Sequence, residues 1–307
     1  MKLTIGSRGS ELALWQAQWA KDQISGIFPD AELSIKIIKT EGDKILDVAL
    51  SKIGDKGLFT KAIEDALLEG SIDIAVHSLK DLPTALPGGL CIGAVSKRED
   101  QRDAFISLKY NSIDELPQNA VVATGSLRRK CQLLNYRKDL NISDIRGNIN
   151  TRLRKLESEN YDAIILAKAG LVRLGMDNVI RQTIPEYIIL PAVSQGVMAI
   201  ECRTGDTNIN MILSRITNNE SLYAVTAERA MLKTLEGGCQ VPIGVYTKIE
   251  NNEIILDAMI GSLNGENIIK CCMKSDVNDS EELGYKAGTE LLNRGGREIL
   301  SELRNNV

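Results

Sequence analysis

Short apolar runs rich in β-branched residues recur through the first hundred positions of the chain. They cover residues 3–6, 33–38, 72–76 and 90–95, and helical patterns separate the first three. A short apolar run bounded by polar residues is typical of a buried strand. Parallel strands need long crossover connections, which are usually helices. The order strand, helix, strand, helix, strand, strand therefore predicts a doubly wound α/β sheet.

The length of 307 residues exceeds what one ordinary core supports and predicts two or three domains. Residues 96–103 are mostly charged and have nothing apolar to bury, so we expect a hinge there. More strands follow, and the apolar run 197–200 predicts a return to the first domain. We therefore expect an α/β protein with two doubly wound lobes like those of periplasmic binding proteins, plus a smaller α+β domain at the C-terminal end.

The predicted domain boundaries follow from these crossovers. We expect a first domain over 1–96 and 197–217, a second, arginine-rich domain over 102–191, and a third over 221–307. A ligand would then lie between the first two domains, with Asp81 on one wall and the arginines on the other.

Composition narrows the classes of function. The net charge is −4, and no apolar run approaches the roughly 20 residues that a membrane span needs. The N-terminus lacks a signal-peptide pattern, so we expect a cytoplasmic protein. The six cysteines show no C-x-x-C spacing and predict neither a disulfide framework nor a zinc site. With His77 as the single histidine, we expect no metal site, and the chemistry must rest on carboxylates, lysines, arginines or a thiol.

Lys80 and Asp81 directly follow the apolar run 72–76 and precede Pro83. Proline disfavours helix in the residue before it, so this segment is predicted to stay irregular at the carboxyl end of a strand. Ligands bind at that end in open α/β sheets. Two interpretations remain open here: Asp81 and Lys80 are a catalytic acid and base, or Asp81 caps a turn beside a solvated lysine.

Positive charge is concentrated between residues 120 and 155, a segment that contains nine basic residues and only two acidic ones. Two predicted strand-to-helix junctions fall in this segment, at Ser126 to Lys130 and at Arg146 to Arg154. Cations in a first helical turn oppose the helix dipole and need a compensating anion. Arginine suits carboxylate or phosphate. The segment therefore predicts an anion site. Two alternatives remain: a solvated basic face or a nucleic-acid surface. An aromatic content of only 4% argues against the nucleic-acid surface, because it leaves few side chains on which bases could stack.

Two further segments resemble ligand sites. Arg8 and Ser10 precede a predicted helix whose N-terminus would attract an anion. The same helix carries Trp15 and Trp19, which we predict to lie in the core. Lys56 lies between two glycines, which fits either close approach to a ligand or a surface loop.

Cys239 lies between Gly237-Gly238 and Pro242, so we expect its thiol to be accessible on a loop after a helix over 221–235. The other five cysteines fall in predicted strands or helices and are interpreted as small core residues. Without a histidine base nearby, a protease-like role is disfavoured, but a permanent covalent attachment is not.

The motifs taken together resemble the porphobilinogen deaminase (hydroxymethylbilane synthase) family over nearly the whole chain. The matching segments are S-R-G-S at 7–10, K-G-L-F at 56–59, V-H-S-L-K-D at 76–81, G-S-L-R-R at 125–129, R-G-N-x-x-T-R at 146–152 and L-E-G-G-C-Q-V-P at 235–242. Two departures from the family pattern are Ser194, where glycine is expected, and Lys168, where a small residue is usual.

The resemblance implies three domains and a dipyrromethane cofactor attached to Cys239 through a thioether. It implies a transferase that joins four porphobilinogen molecules head to tail with loss of ammonia and then releases the linear tetrapyrrole. Asp81 would be the catalytic residue. The residues implied to hold cofactor or substrate carboxylates are Arg8, Ser10, Lys52, Lys56, Lys80, Ser126, Arg128, Arg129, Arg146, Arg152, Arg173 and Gln195. We expect a monomer that binds neither nucleic acid nor membrane; a non-catalytic two-lobed protein that binds a polycarboxylate or other small anion is the rival hypothesis.

Overall fold

The computed structural model of the chain describes residues 1–40, 60–235 and 241–305. Three β-sheets organise these residues. The strands are β1 Lys2–Ser7, β2 Glu32–Ile37, β3 Ile74–Ser78, β4 Leu90–Val95, β5 Asp103–Ile106, β6 Val121–Ala123, β7 Asn141–Ser143, β8 Ala163–Ala167, β9 Gln182–Thr183, β10 Met198–Arg203, β11 Ile243–Glu250, β12 Glu253–Gly261 and β13 Ile268–Asp276. The α-helices are α1 Glu11–Ile27, α2 Lys61–Leu68, α3 Leu127–Tyr136, α4 Ile149–Ser158, α5 Lys168–Arg173, α6 Thr207–Ser214, α7 Asn219–Thr234, α8 Ser280–Leu291 and α9 Arg297–Asn305.

The chain divides into two compact units, and each is described separately. Among the described residues, unit 1 comprises 1–40, 60–99 and 197–222, and unit 2 comprises 100–196, 223–235 and 241–305. Each sheet lies within one of the three predicted domain segments. The three-domain division itself stays a prediction, since the second and third sheets belong to one unit.

Unit 1 is built on a five-stranded sheet in the order β2-β1-β3-β10-β4. β1 pairs in parallel with β2 and β3, whereas β10 is antiparallel to both β3 and β4. Apolar residues of α1 and α6 pack on one face of the sheet, and those of α2 pack on the other. Helices on both faces make the sheet doubly wound, as predicted.

Unit 2 contains a second sheet with the order β7-β6-β8-β5-β9. β6, β7 and β8 are parallel and β5 is antiparallel. Successive residues of β5 and β8 alternate between two cores, one containing Phe105 and Ile165 and the other Ile106 and Ile164. Side chains are thus buried on both faces, which explains the continuous apolar runs in the sequence.

Unit 2 also contains the antiparallel sheet β11-β12-β13. Asn251 and Asn252 both have positive φ and form the turn of the β11–β12 hairpin. Helix α8 packs against α7 through Gly284 and Gly288, where a Cβ atom would collide with Ala227 and Thr234. The predicted α/β plus α+β fold class is confirmed. No helix among the described residues is long and apolar enough to cross a membrane.

Several local predictions were wrong. Strand β3 starts at Ile74, two residues later than expected, and runs to Ser78. Trp15 is exposed, because the buried stripe of α1 consists mainly of Ala13, Ala17, Ala20 and Ile24. Cys272 is exposed and Cys91 is half-buried, because their positions in β13 and β4 do not face a core fully.

Candidate functional site

In unit 1 the predicted site residues gather at the carboxyl edge of the sheet. β1 and β3 are parallel, so their ends meet at one edge. β1 leads through Arg8 and Ser10 into α1, and β3 leads into a 3₁₀ turn over Leu79–Asp81. The Asp81 carboxylate is exposed and Lys80 is half-buried. The sequence therefore places these four residues correctly relative to the sheet.

Hydrogen bonds fix both of these junctions. Ser10 is the N-cap of α1, and its Oγ accepts from the Ala13 N–H at 3.3 Å. Ser7 Oγ donates to the Ala13 carbonyl at 3.0 Å. The buried Gln16 of α1 donates through Nε2 to Ser78 Oγ at 2.8 Å. This last bond ties the β1–α1 junction to the residue directly before the turn that carries Asp81.

In unit 2 the parallel strands β6, β7 and β8 likewise end at one edge. α3, α4 and α5 follow them and begin at that edge. Ser126 caps α3 by accepting from the Arg129 N–H at 3.5 Å, and Asn148 caps α4 by accepting from the Thr151 N–H at 2.8 Å. The predicted layout of two strand-to-helix junctions loaded with arginine is present at this edge.

The Arg146-Gly147-Asn148 turn fixes the position of Arg152. Gly147 has φ +115°, and a Cβ atom there would lie 2.6 Å from the Thr151 side chain, so only glycine fits. Arg152 Nε donates to the Gly147 carbonyl at 2.8 Å. The turn therefore holds Arg152 beside the N-terminus of α4.

Asp103 provides a negative charge beside the arginines of α3. From the sequence we expected a bound ligand to provide all of the compensating negative charge. Its two carboxylate oxygens accept from Arg128 Nη1 and from Arg129 Nη2, each at 2.8 Å. All three residues are buried. Residues 96–103 were predicted to be a hinge with nothing apolar to bury, yet Ser96, Gln101 and Asp103 are buried, and Asp103 begins β5.

The electrostatics follow from this geometry. Burial alone would raise the pKa of Asp103, but the charges of Arg128 and Arg129 and their hydrogen bonds hold it well below its ordinary value of 3.8. Burial lowers the pKa of Arg128, and Asp103 opposes that change. The aspartate is therefore ionised and fixes both guanidinium groups at the N-terminus of α3.

Gln195 and Arg173 are buried in the same unit. Gln195 Nε2 donates to Asp103 Oδ1 at 2.8 Å and to the Gln101 carbonyl at 2.7 Å. Arg173 Nη2 donates to the Gly196 carbonyl at 2.5 Å. Both residues thus hold the chain segment that precedes β10.

Some arginine donors have no partner. Arg129 Nε and Arg146 Nη1 are buried and make no hydrogen bond within the described part of the chain. A buried unpaired donor carries a substantial desolvation cost unless a ligand or water satisfies it. These two N–H groups suit a carboxylate ligand at the edge where α3 and α4 begin.

Lys168, one of the departures from the family pattern, has a local partner. Its Nζ lies 2.8 Å from Asp100 Oδ2, and Arg102 also pairs with that carboxylate at 2.7 Å. Burial opposes the effect, but hydrogen bonds from Arg102 and Lys168 lower the pKa of Asp100. Sequence reasoning missed Asp100 and Asp103, and their only signal was their place in a charged stretch.

Three predicted site residues, Lys52, Lys56 and Cys239, lie outside the described residues. Within the described ranges, no cluster of three or more histidine, cysteine or acidic side chains could hold a metal ion.

Comparisons with known proteins agree with the motifs. The sequence matches the family described as "Porphobilinogen deaminase, dipyromethane cofactor binding domain" over residues 3–211 and its C-terminal domain over residues 222–293. It is 50% identical over 303 residues to a porphobilinogen deaminase of Desulforamulus reducens, covering 99% of this chain and 98% of that protein. It is 50% identical over 305 residues to that of Prochlorococcus marinus, covering 98% and 96% respectively.

Similarity to solved structures is more distant. A methionine-binding protein, MetQ, aligns with 74% of this chain and 94% of its own at 15% identity and a TM-score of 0.45. The sheets define a doubly wound α/β protein, and in unit 2 arginines lie at the helix N-termini. The sequence matches then show that the chain belongs to the porphobilinogen deaminase family.

Proposed function

We propose that this chain joins four porphobilinogen molecules head to tail, releasing one ammonia for each, and then frees hydroxymethylbilane by hydrolysis. Family membership over nearly the full length supports an enzyme rather than a non-catalytic anion-binding protein. The structural observation that carries the proposal is the pair of buried, unpaired donors, Arg129 Nε and Arg146 Nη1.

The residues present fit a dipyrromethane cofactor. Each pyrrole of the cofactor and of the substrate carries two carboxylates, and arginine N–H groups pair well with carboxylates. When bound, this group supplies the primer to which the first substrate is joined. We propose that Cys239 anchors it through a thioether, since this bond is not hydrolysed during turnover.

The carboxylate-binding set is proposed as the family motifs give it. In unit 1 it comprises Arg8, Ser10 and Lys80, and in unit 2 it comprises Ser126, Arg128, Arg129, Arg146, Arg152, Arg173 and Gln195. Lys52 and Lys56 complete the set. The hydrogen bonds described above divide it by role: Arg128 and Gln195 are held by Asp103 and by backbone carbonyls, whereas Arg129 and Arg146 each retain a donor for a ligand.

Asp81 is the proposed catalytic residue. Loss of the amine from porphobilinogen leaves a delocalised pyrrole cation, and an exposed carboxylate on a short turn can approach it. At a separation of about 4 Å and an effective dielectric near 20, the attraction is about 4 kcal/mol, roughly a thousandfold in rate. The same carboxylate can donate a proton to the leaving amine and accept one from the attacked carbon.

Replacement of Asp81 by Asn tests this assignment. We expect Asp81→Asn to fold and to carry the cofactor, seen as excess mass over the sequence, but to lose turnover by about a thousandfold. Cys239→Ser should lack the excess mass. Near-normal turnover in Asp81→Asn would contradict the catalytic role, and a wild-type mass equal to that of the bare sequence would contradict the attachment.

We also propose that the enzyme acts as a cytoplasmic monomer. One chain supplies every proposed site residue, which supports a monomer. The five cysteines among the described residues are free thiols, which agrees with a cytoplasmic setting. Size-exclusion chromatography with light scattering measures the assembly state.

A further inference from the structure

Cys91 and Cys202 face each other across two strands of unit 1. Cys91 is on the edge strand β4 and Cys202 is on its antiparallel neighbour β10, where the two residues are register partners. Their Sγ atoms are 3.7 Å apart, and both cysteines are free thiols. They are 111 positions apart in the sequence, so spacing gave no sign of the pair. The proposed function uses neither.

Their backbone geometry suits a disulfide. Residues directly opposite in an antiparallel pair have Cα atoms about 4.5–5.5 Å apart. Disulfides accept Cα separations of about 4.4–6.8 Å. Because directly opposite side chains project to the same face, rotation about side-chain bonds can bring the two sulfur atoms into bonding distance without moving the strands.

The two thiols differ in environment. Cys91 is half-buried, whereas Cys202 is fully buried in the core beneath α6. Burial, together with the neighbouring Cys91, raises the pKa of the Cys202 thiol to about 12. Asn210 of α6 accepts from Cys202 Sγ at 3.4 Å and from Cys91 Sγ at 3.8 Å. Cys91 is therefore the thiol that an external reagent meets first.

We propose that Cys91 and Cys202 form a reversible oxidation site, converted to an intramolecular disulfide by a low-molecular-weight disulfide such as glutathione disulfide. The Cys91 thiolate attacks one sulfur of that reagent, forms a mixed disulfide and releases one glutathione thiolate. Cys202, after giving up its proton, attacks Cys91 Sγ and releases the second glutathione. Two protein thiols are oxidised and one glutathione disulfide is reduced to two thiols, so electrons balance.

The new bond would join the two strands through which the chain leaves and re-enters unit 1. β4 precedes the crossover at 99–100, and β10 follows the crossover at 196–197. The covalent loop from 91 to 202 would enclose all strands of the second sheet. Closing so long a loop restricts the unfolded chain, so the oxidised protein should unfold at a higher temperature.

The experiment uses the purified, reduced, cofactor-loaded full chain in buffers of increasing ratio of oxidised to reduced glutathione. Free thiols are blocked with N-ethylmaleimide, followed by intact-mass measurement and non-reducing peptide mapping. After blocking in denaturant, we expect two fewer maleimide adducts than in the reduced protein, a cross-linked peptide pair containing Cys91 and Cys202, a higher melting temperature, and reversal by dithiothreitol. Cys91→Ser and Cys202→Ala should abolish the cross-link, while Cys272→Ser, which removes an exposed thiol elsewhere, should retain it.

Three outcomes would overturn the proposal. The first is a stable glutathione adduct on Cys91 without cross-linking, and the second is a cross-link that joins other cysteines. The third is unchanged thiol content at every glutathione ratio. Because Cys202→Ala opens a buried site, Cys91→Ser provides the test that does not depend on tolerance of a core substitution.

Discussion

The two α/β sheets have the same strand arrangement, but the buried carboxylate that each one carries has different partners. In each sheet three parallel strands are followed by one antiparallel strand, which is β10 in unit 1 and β5 in unit 2. Each antiparallel strand carries a fully buried carboxylate, Glu201 in β10 and Asp103 in β5. The two buried carboxylates therefore differ in their hydrogen-bond partners and not in their exposure.

Asp103 is satisfied, whereas Glu201 is not. Asp103 accepts hydrogen bonds from two arginines and from Gln195. Glu201 has His77 Nε2 at 3.0 Å, but its oxygens make no hydrogen bond within the described residues. The buried Glu64 of α2 also leaves Oε1 unpaired. A shared fold thus does not determine whether a buried acid stabilises or destabilises the protein; the local donors do.

The largest expected effect comes from breaking the Asp103 cluster. Asp103→Asn leaves two buried guanidinium groups without their counter-charge, and loss of one partner of a buried ion pair costs about 3–5 kcal/mol. Glu201→Gln, the matched change in unit 1, should cost less, because the close partner of Glu201 is the single imidazole of His77 rather than two guanidinium groups. Urea unfolding at pH 7 measures both. Equal losses in the two variants would contradict the comparison.

The next effect is a difference in pH dependence. Burial raises the pKa of Glu64, and the nearby Glu201 charge adds to the increase. The folded state therefore retains a proton that the unfolded state releases above about pH 4.5, so this group lowers stability as pH rises. Asp103 has a lowered pKa and acts oppositely: its contribution is present above about 3.8 and is lost as the pH falls.

Glu64→Gln separates these two trends. At pH 8 the variant should be more stable than the wild type by about 1–3 kcal/mol, because glutamine does not ionise and avoids the cost of burying a charged carboxylate. Below pH 4 the difference should vanish while the loss due to Asp103 persists. Denaturant midpoints between pH 3 and pH 8 provide the measurement. A constant difference across that range would show that Glu64 does not titrate differently in the two states.

The smallest effect concerns Ser194, whose position in unit 2 departs from the family's glycine. Ser194 has φ +62°, and its Oγ is buried without a partner among the described residues. Ser194→Gly should stabilise the protein by about 1 kcal/mol by relieving backbone strain, while the backbone N–H keeps its bond to Glu228 at 2.6 Å. Ser194→Ala removes the hydroxyl but keeps the strained φ. A gain in Ser194→Ala equal to that in Ser194→Gly would assign the effect to the hydroxyl.

Much of the architecture was predictable because local patterns and tertiary structure agree. The apolar runs at 3–6, 33–38 and 90–95 locate β1, β2 and β4 to within one residue at each end. The edges that gather Asp81 and the arginines also follow from the sequence, because every parallel strand ends where its polar loop begins.

The remaining features depend on contacts between distant segments. Asp103 belongs to a charged stretch, and only the β5–β8 pairing and α3 bring it beneath two arginines. Gly295-Gly296 signals a helix end, yet Gly295 at φ +114° makes a kink and the chain continues into α9. Cys91 and Cys202 meet only because β10 inserts beside β4.

The position of β10 between β3 and β4 also sets an order of assembly during synthesis. A ribosome delivers β5 to β9 before β10 emerges, so the nascent chain can complete the second sheet while the first still lacks an internal strand. Until residue 203 is available, the facing edges of β3 and β4 lack their shared partner, and pairing over such separations is slow. Strands β3 and β4 are thus made early but reach their native pairing with β10 only after every strand of the second sheet has been synthesised.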